Sequence, residues 1–353
     1  MSYDTVALGA PRPGAVLRPV AITRRELRPY DVLIDVTYVG ICHSDIYVAG
    51  DARASASSPA VPGHEISGFV AAIGDHVTTH QVGDRVGVGY VVDSCGVCDQ
   101  CLKGAEQHCL LGPVPVHGGV DYYGQHMYGG YSHRIVVREP FVHRIPDSLD
   151  LAAAAPLLCA GIVPYSQLRF WRVGPGTAVA VVGLGGLGHM AVKLAAAMGA
   201  RVAVVSRSLR KREDALRFGA HEFHVAGDPA ALDRLRGRFD LVVNTASAVQ
   251  SLDPGLRMLR RAGTMVLTGQ SEGPLSVTPA VLTRSHGLLA GVSAAGTTET
   301  RELLAFCAEQ RITPDIDVVS AAQINEVQAR LVSGEARYRF VLDATTIGIE
   351  RLA

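Results

Sequence analysis

The sequence carries no net charge: lysine and arginine together number 33, as do aspartate and glutamate. A balanced chain without a basic stripe offers nothing to draw a phosphate backbone, so no nucleic-acid partner is expected. Long apolar runs are missing too. None of the alanine-rich stretches reaches the length of a charge-free membrane span, and the N-terminus lacks the basic flank and apolar core of a secretory signal. These absences predict a soluble protein, expected in the cytoplasm and not at a membrane. Sequence repeats and low-complexity tracts are absent as well. What is there is a chain of 353 residues, 48% of them hydrophobic, enough to bury two ordinary cores.

Up to about residue 150 the chain reads as short β-rich pieces, such as Val32-Leu33-Ile34-Asp35-Val36, broken by glycine, proline and loops. Around Leu151 the texture changes. Alanine-rich helical stretches now alternate with apolar strands at 178–182 and 201–205, followed by strands at 241–243, 264–267 and 287–290. Such alternation predicts an α/β domain with a parallel sheet, ending near Gly291. A helix over 298–310 and a strand at 337–342 then return to the texture of the first domain.

Seven cysteines are present, and four of them, Cys95, Cys98, Cys101 and Cys109, fall within fifteen residues. Thiolates at these intervals can converge tetrahedrally on one zinc ion, with Gly96 and Gly104 permitting the turns. Four sulfur ligands would leave no open position for water or substrate, so this site is read as structural. Short, metal-like spacing fits a reducing compartment better than a secreted disulfide framework. Cys307, in an apolar helical pattern, reads as packing.

Between the predicted strand ending at Val182 and a helix over 189–198 lies Gly183-Leu184-Gly185-Gly186-Leu187-Gly188. Glycines in that context let a dinucleotide pyrophosphate approach a helix N-terminus. An NAD site should present an acid at the end of the second strand, where this sequence has Ser206-Arg207-Ser208, with Lys211 close behind. Hydroxyls and cations without a carboxylate suit the 2′-phosphate of NADP.

Three further glycine-flanked segments contain Cys42, His64-Glu65 and Cys159. Taken singly, each reads more simply as a small buried thiol or a satisfied imidazole. Together and in order, Gly40 to Asp45, Gly63-His64-Glu65, the quartet, Cys159-Ala160-Gly161-Ile162 and the glycine loop resemble the medium-chain zinc alcohol dehydrogenases. The likeness is to their cinnamyl alcohol dehydrogenase branch, through Cys42-His43-Ser44-Asp45-Ile46, Pro156 to Ile162, Gly185 to Met190, Gly219 to Phe223 and Arg337-Tyr338-Arg339-Phe340, and it runs almost end to end.

The resemblance implies a GroES-like irregular β catalytic domain over 1–153, a Rossmann doubly wound parallel-sheet domain binding NADP(H) over 154–292, and a return to the catalytic domain over 293–353. It implies a catalytic zinc on Cys42, His64 and Cys159, with Glu65 able to approach the metal and Asp45 orienting His64. Ser44 would carry the alcohol proton. Tyr47 stands where the family usually has a histidine, so the relay beyond Ser44 is altered, and Val163 stands where it commonly has a threonine near the nicotinamide end, so one hydrogen bond is expected to be missing there. Thr245, Gly269, Val292 and Ser293 complete the expected cofactor contacts. The implied function is reversible hydride transfer between NADPH and an aldehyde, aromatic or allylic, in a homodimer or homotetramer. Rival readings keep the fold but reduce an iminium or conjugated alkene, or lose chemistry to become a nucleotide-sensing zinc protein. Stripped of loosely bound ions, the protein is expected to retain two zinc ions per chain by atomic emission; an empty quartet would refute the structural site.

Overall fold

A computed structural model describes residues 2–50, 59–246, 251–269, 273–292 and 294–348. The chain divides into two compact units, Met1–Cys159 with Ala294–Ala353, and Ala160–Ser293. Among the described residues no single helix is long and apolar enough to cross a membrane.

The first unit is organised around the strand Asp31–Ile41. Val32, Leu33 and Ile34 are all buried, a continuous apolar run that a strand covered on both faces requires. Ile66–Ile73 pairs antiparallel along one side. The other side is shared by two segments from far along the chain: Arg134–Arg138 pairs with its first half and Arg339–Asp343 with its second. Ile316–Val319, Arg85–Val88 and His143–Arg144 complete a seven-stranded sheet. The C-terminal strand expected at 337–342 is therefore a structural neighbour of residue 41, which explains why its texture matches the N-terminal part. The alanine-rich helical turns Leu151–Ala154 and Ala155–Leu158 also pack in this unit.

Six parallel strands form the second unit's sheet, in the spatial order Glu222–Val225, Arg201–Ser206, Ala178–Val182, Phe239–Asn244, Leu259–Leu267, Leu288–Gly291. Numbered along the unit this is 3-2-1-4-5-6, the order of dinucleotide-binding sheets, whose crevice opens where the order reverses beside the first strand. Val179, Val181, Val202, Val204, Val242 and Val243 are fully buried, as β-branched residues in a doubly covered sheet should be. The helix Gly186–Ala197 follows the first strand directly. It starts before the expected residue 189, because the last glycines of the loop already form its first turn.

Packing inside that turn depends on missing side chains. A Cβ at Gly188 would strike the carbonyl oxygen of Gly183, whereas one at Gly185 would meet nothing within 4 Å. Gly188→Ala is expected to destabilise the protein by about 1–3 kcal/mol through forced overpacking, and Gly185→Ala, at the helix N-cap, by about 1 kcal/mol or less. Urea unfolding of the two variants checks the ranking.

Candidate functional site

Cys42 sits at the end of the strand Asp31–Ile41, and the short helix His43–Gly50 begins immediately after it. His64 and Glu65 lead into Ile66–Ile73, which pairs with that same strand. Cys159 ends the turn Ala155–Leu158. Strand pairing thus brings residues remote in sequence to one place: ligand atoms of Cys42, His64, Glu65 and Cys159 lie within 4.8 Å of one another. The backbone N–H of Gly40 donates to the carbonyl of Glu65 at 2.8 Å, and any Cβ on Gly40 would collide with the Glu65 carboxylate. Glycine at that position is a space requirement of the acid beside it.

His64 is fixed by Asp45, whose Oδ1 lies 3.0 Å from His64 Nδ1. In the neutral ring this contact favours the Nδ1–H tautomer, which leaves the Nε2 lone pair as the acceptor or ligand atom, with Ser44 Oγ 3.3 Å away. Burial works against charge on His64, but Asp45's negative charge and hydrogen bond hold the imidazole well above its ordinary range. A hydrogen bond from Cys159 holds the Cys42 thiol well below the usual thiol range against the effect of burial, and the same contact raises Cys159. Burial pushes the Glu65 carboxyl up to about 7, opposed by Arg339.

Arg339 is a functional residue that reading the sequence missed. Its Nη2 donates to both Glu65 oxygens at 2.5 Å, across 274 residues of chain, and both side chains are buried. Burial disfavours its charge, yet Glu65 and Cys42 outweigh that and hold it above the usual guanidinium range. Only the tetrapeptide Arg337 to Phe340 marked it, and nothing local tied it to Glu65. Tyr131 was missed as well: fully buried, it donates its hydroxyl to Asp45 Oδ2 at 3.1 Å. His117 stands edge-on to His64, ring centroids 5.2 Å apart, and to Tyr90 at 5.5 Å. Burial pushes it down to about 4, leaving a neutral ring. Asp45, His64 and His117 also lie close together, but the Asp45 oxygens are already taken by hydrogen-bond donors.

Two thiols and an imidazole whose other nitrogen is anchored are donors of the kind and number that a catalytic zinc takes while keeping a further position for substrate. Tyr47 lies on the same short helix as Ser44 but is 47% exposed, so it borders solvent and not a buried relay.

The second set matches a closed structural site. Sulfur atoms of Cys95, Cys98, Cys101 and Cys109 also lie within 4.8 Å of one another, with Cys98 to Cys101 at 3.5 Å and Cys95 to Cys101 at 3.8 Å. These distances are far beyond a disulfide bond, and every cysteine is free. Backbone N–H groups of Cys98, Cys95 and Leu110 donate to Cys95, Cys109 and Cys98 sulfurs, the pattern that stabilises thiolates. The Leu110 contact leads in lowering Cys98 to about 6, while burial pushes Cys101 up to about 12. Gly96 and Gly104 adopt φ of +72° and +71°, so both expected turns use conformations that side chains disfavour.

In the second unit the glycine loop joins strand and helix. A Cβ on Gly183 would press on Thr245 Oγ1, whose hydroxyl donates to the carbonyls of Val182 and Gly183 at 3.1 and 3.0 Å. Thr245 therefore shapes the loop. The open space at Gly185, at the N-terminus of the twelve-residue helix, is the cradle a pyrophosphate needs. Leu184 is buried and Leu187 partly so. Ser206 ends the second strand, Arg207 is exposed, and Ser208 precedes the turn Leu209–Lys211. Lys211 Nζ reaches back to donate to the Leu184 carbonyl at 2.7 Å, which brings the phosphate-binding candidate onto the glycine loop. Gly269 packs its backbone against Thr245, and Val292 follows the last strand. Ser293 lies outside the described residues.

Comparison with known proteins agrees with this geometry. Residues 28–147 match the alcohol dehydrogenase GroES-like domain and residues 186–309 the zinc-binding dehydrogenase domain. A probable formaldehyde dehydrogenase, AdhA, of Bacillus subtilis is 48% identical, covering 98% of this chain and 99% of its own. NADP-dependent alcohol dehydrogenase C 1 of Mycolicibacterium smegmatis is 48% identical over 94% of this chain and 95% of its own. Among solved structures, a cinnamyl alcohol dehydrogenase of Sorghum bicolor superposes with a TM-score of 0.94 at 38% identity, covering 99% of this chain and all of the other. The chain belongs to the zinc-binding alcohol dehydrogenases, in their cinnamyl alcohol dehydrogenase-like branch.

Proposed function

We propose that this chain is a zinc-dependent, NADP-preferring alcohol dehydrogenase working chiefly as an aldehyde reductase. The observation that carries the reading is the convergence of Cys42, His64 and Cys159, with Glu65 held beside them by Arg339. When bound, zinc supplies Lewis acidity toward a carbonyl oxygen and the nicotinamide supplies or accepts the hydride. The chain's own residues do the rest. Cys42, Cys159 and His64 Nε2 would hold the ion, Asp45 keeps His64 in the tautomer that frees Nε2, and the Ser44 hydroxyl would move the alcohol proton at its Oγ. In reduction that hydroxyl gives its proton to the nascent alcohol oxygen and is replenished from water, which the half-exposed Tyr47 borders; in oxidation the proton runs the other way. The neutral ring of His117 and the ring of Tyr90 form an uncharged aromatic flank beside His64.

Preference for NADP rests on Ser206, Arg207, Ser208 and Lys211, which present hydroxyls and cations with no acid to repel a 2′-phosphate; the mycobacterial relative carries the same preference in its name. Gly183 to Gly188, Thr245, Gly269, Val292 and Ser293 make up the remaining cofactor contacts. A homodimer is the assembly we favour over a homotetramer: Leu288–Gly291 is an edge strand with exposed residues, a template for pairing with a second copy. Free thiols throughout suit the cytoplasm.

Aldehydes are expected to be reduced with kcat/KM about tenfold or more higher with NADPH than with NADH, the worth of one charge-assisted contact. Cys42→Ser and Cys159→Ser should abolish turnover while NADPH fluorescence still reports binding; a variant with normal activity refutes the catalytic metal. Lys211→Ala is expected to weaken NADPH about tenfold and leave NADH unchanged. An equal loss for both cofactors in titration would assign Lys211 to shaping the loop through Leu184.

A further inference from the structure

Four donors share the Asp45 carboxylate. The Cys42 amide at 2.8 Å and the Tyr131 hydroxyl at 3.1 Å reach Oδ2; the Gly63 amide and His64 Nδ1, each at 3.0 Å, reach Oδ1. The two amides belong to backbone at or beside the metal ligands, and they suffice to hold the carboxylate in place. Tyr131 adds something else. Its side chain is fully buried, and its backbone is tied to the same segment, through Tyr131 N to the Pro62 carbonyl at 3.0 Å and Gly130 N to the Gly63 carbonyl at 2.8 Å. A Cβ on Gly63 would lie 2.6 Å from the Tyr131 ring, so ring and ligand loop fit together without slack. A phenol is a neutral hydrogen-bond donor at physiological pH.

We propose that Tyr131 is a positioning residue that sets, through Asp45, how strongly His64 donates to a divalent ion held with Cys42 and Cys159. The inference rests on the metal reading given above. Donors on one carboxylate compete for its negative charge, and what the hydroxyl takes is withheld from the Nδ1–H of His64. A carboxylate behind a ligating histidine raises the basicity of the ligand; the Tyr131 hydroxyl moderates that effect, keeping the ion a stronger Lewis acid and holding it less tightly. Removal of the hydroxyl leaves Asp45 held by its two amides, so charge is redistributed without loss of orientation.

The test uses the full chain loaded with two equivalents of cobalt(II), whose visible bands distinguish the mixed sulfur and nitrogen site from the all-sulfur quartet. Tyr131→Phe is expected to shift the bands of the mixed site while those of the quartet stay still. Release of cobalt from that site to a chelator should slow several-fold, below the roughly 10–100-fold range of partners one bond nearer the metal. In the zinc protein kcat should fall several-fold with KM nearly constant. 3-Fluorotyrosine placed at 131 alone, a stronger donor, should move the same bands the opposite way and gives the second readout should the phenylalanine variant fail to fold. Unmoved bands and unchanged release overturn the role of Tyr131, whatever happens to thermal stability, and faster release from Tyr131→Phe overturns it equally. Uptake of one equivalent, at the quartet alone, refutes the metal reading itself.

Discussion

Two thiols, a glutamate and an aspartate are packed into one largely buried volume, where their anionic forms are tolerated only with positive charge beside them. Arg339 supplies one such charge from within the chain. Its bidentate contact with Glu65 keeps the acid close to the ligands without making it a fourth permanent one. In the function proposed above, a divalent cation on Cys42, His64 and Cys159 would supply the rest. The surrounding architecture serves this balance: Gly40 gives Glu65 room, Asp45 turns His64, and the paired strands Asp31–Ile41, Ile66–Ile73 and Arg339–Asp343 bring the parts together.

The two metal sites differ in how they reach their geometry. The quartet is local. Its four cysteines occupy one loop, its turns are made by Gly96 and Gly104, and backbone N–H groups point at its sulfurs. The other set depends on register. Cys42 and His64 meet because a strand ending at Ile41 pairs with one beginning at Ile66, where a slip would move side chains to the wrong face, and Cys159 joins them from the end of the turn Ala155–Leu158.

That difference is also why the sequence was unevenly legible. Cys95 to Cys109 could be read from spacing alone, because the distances along the chain are nearly the distances in space. The glycine loop was legible for a similar reason, as was the absence of an acid after Ser206. Cys42, His64 and Cys159 gained meaning only through likeness to a family, since no local pattern encodes their meeting. Arg339 and Tyr131 carried no signal for their roles: one reaches Glu65 from 274 positions away and the other reaches Asp45 from 86. Tyr47 was legible as a departure, and its exposure places it at the solvent boundary.

The pairing of Arg339–Asp343 with Asp31–Ile41 has a consequence for synthesis. A ribosome that has delivered the chain through residue 330 has already made every metal ligand, but not the guanidinium that neutralises Glu65 or the strand that closes that edge of the sheet. The sheet of the first unit therefore cannot be completed until the intervening nucleotide-binding segment has been synthesised.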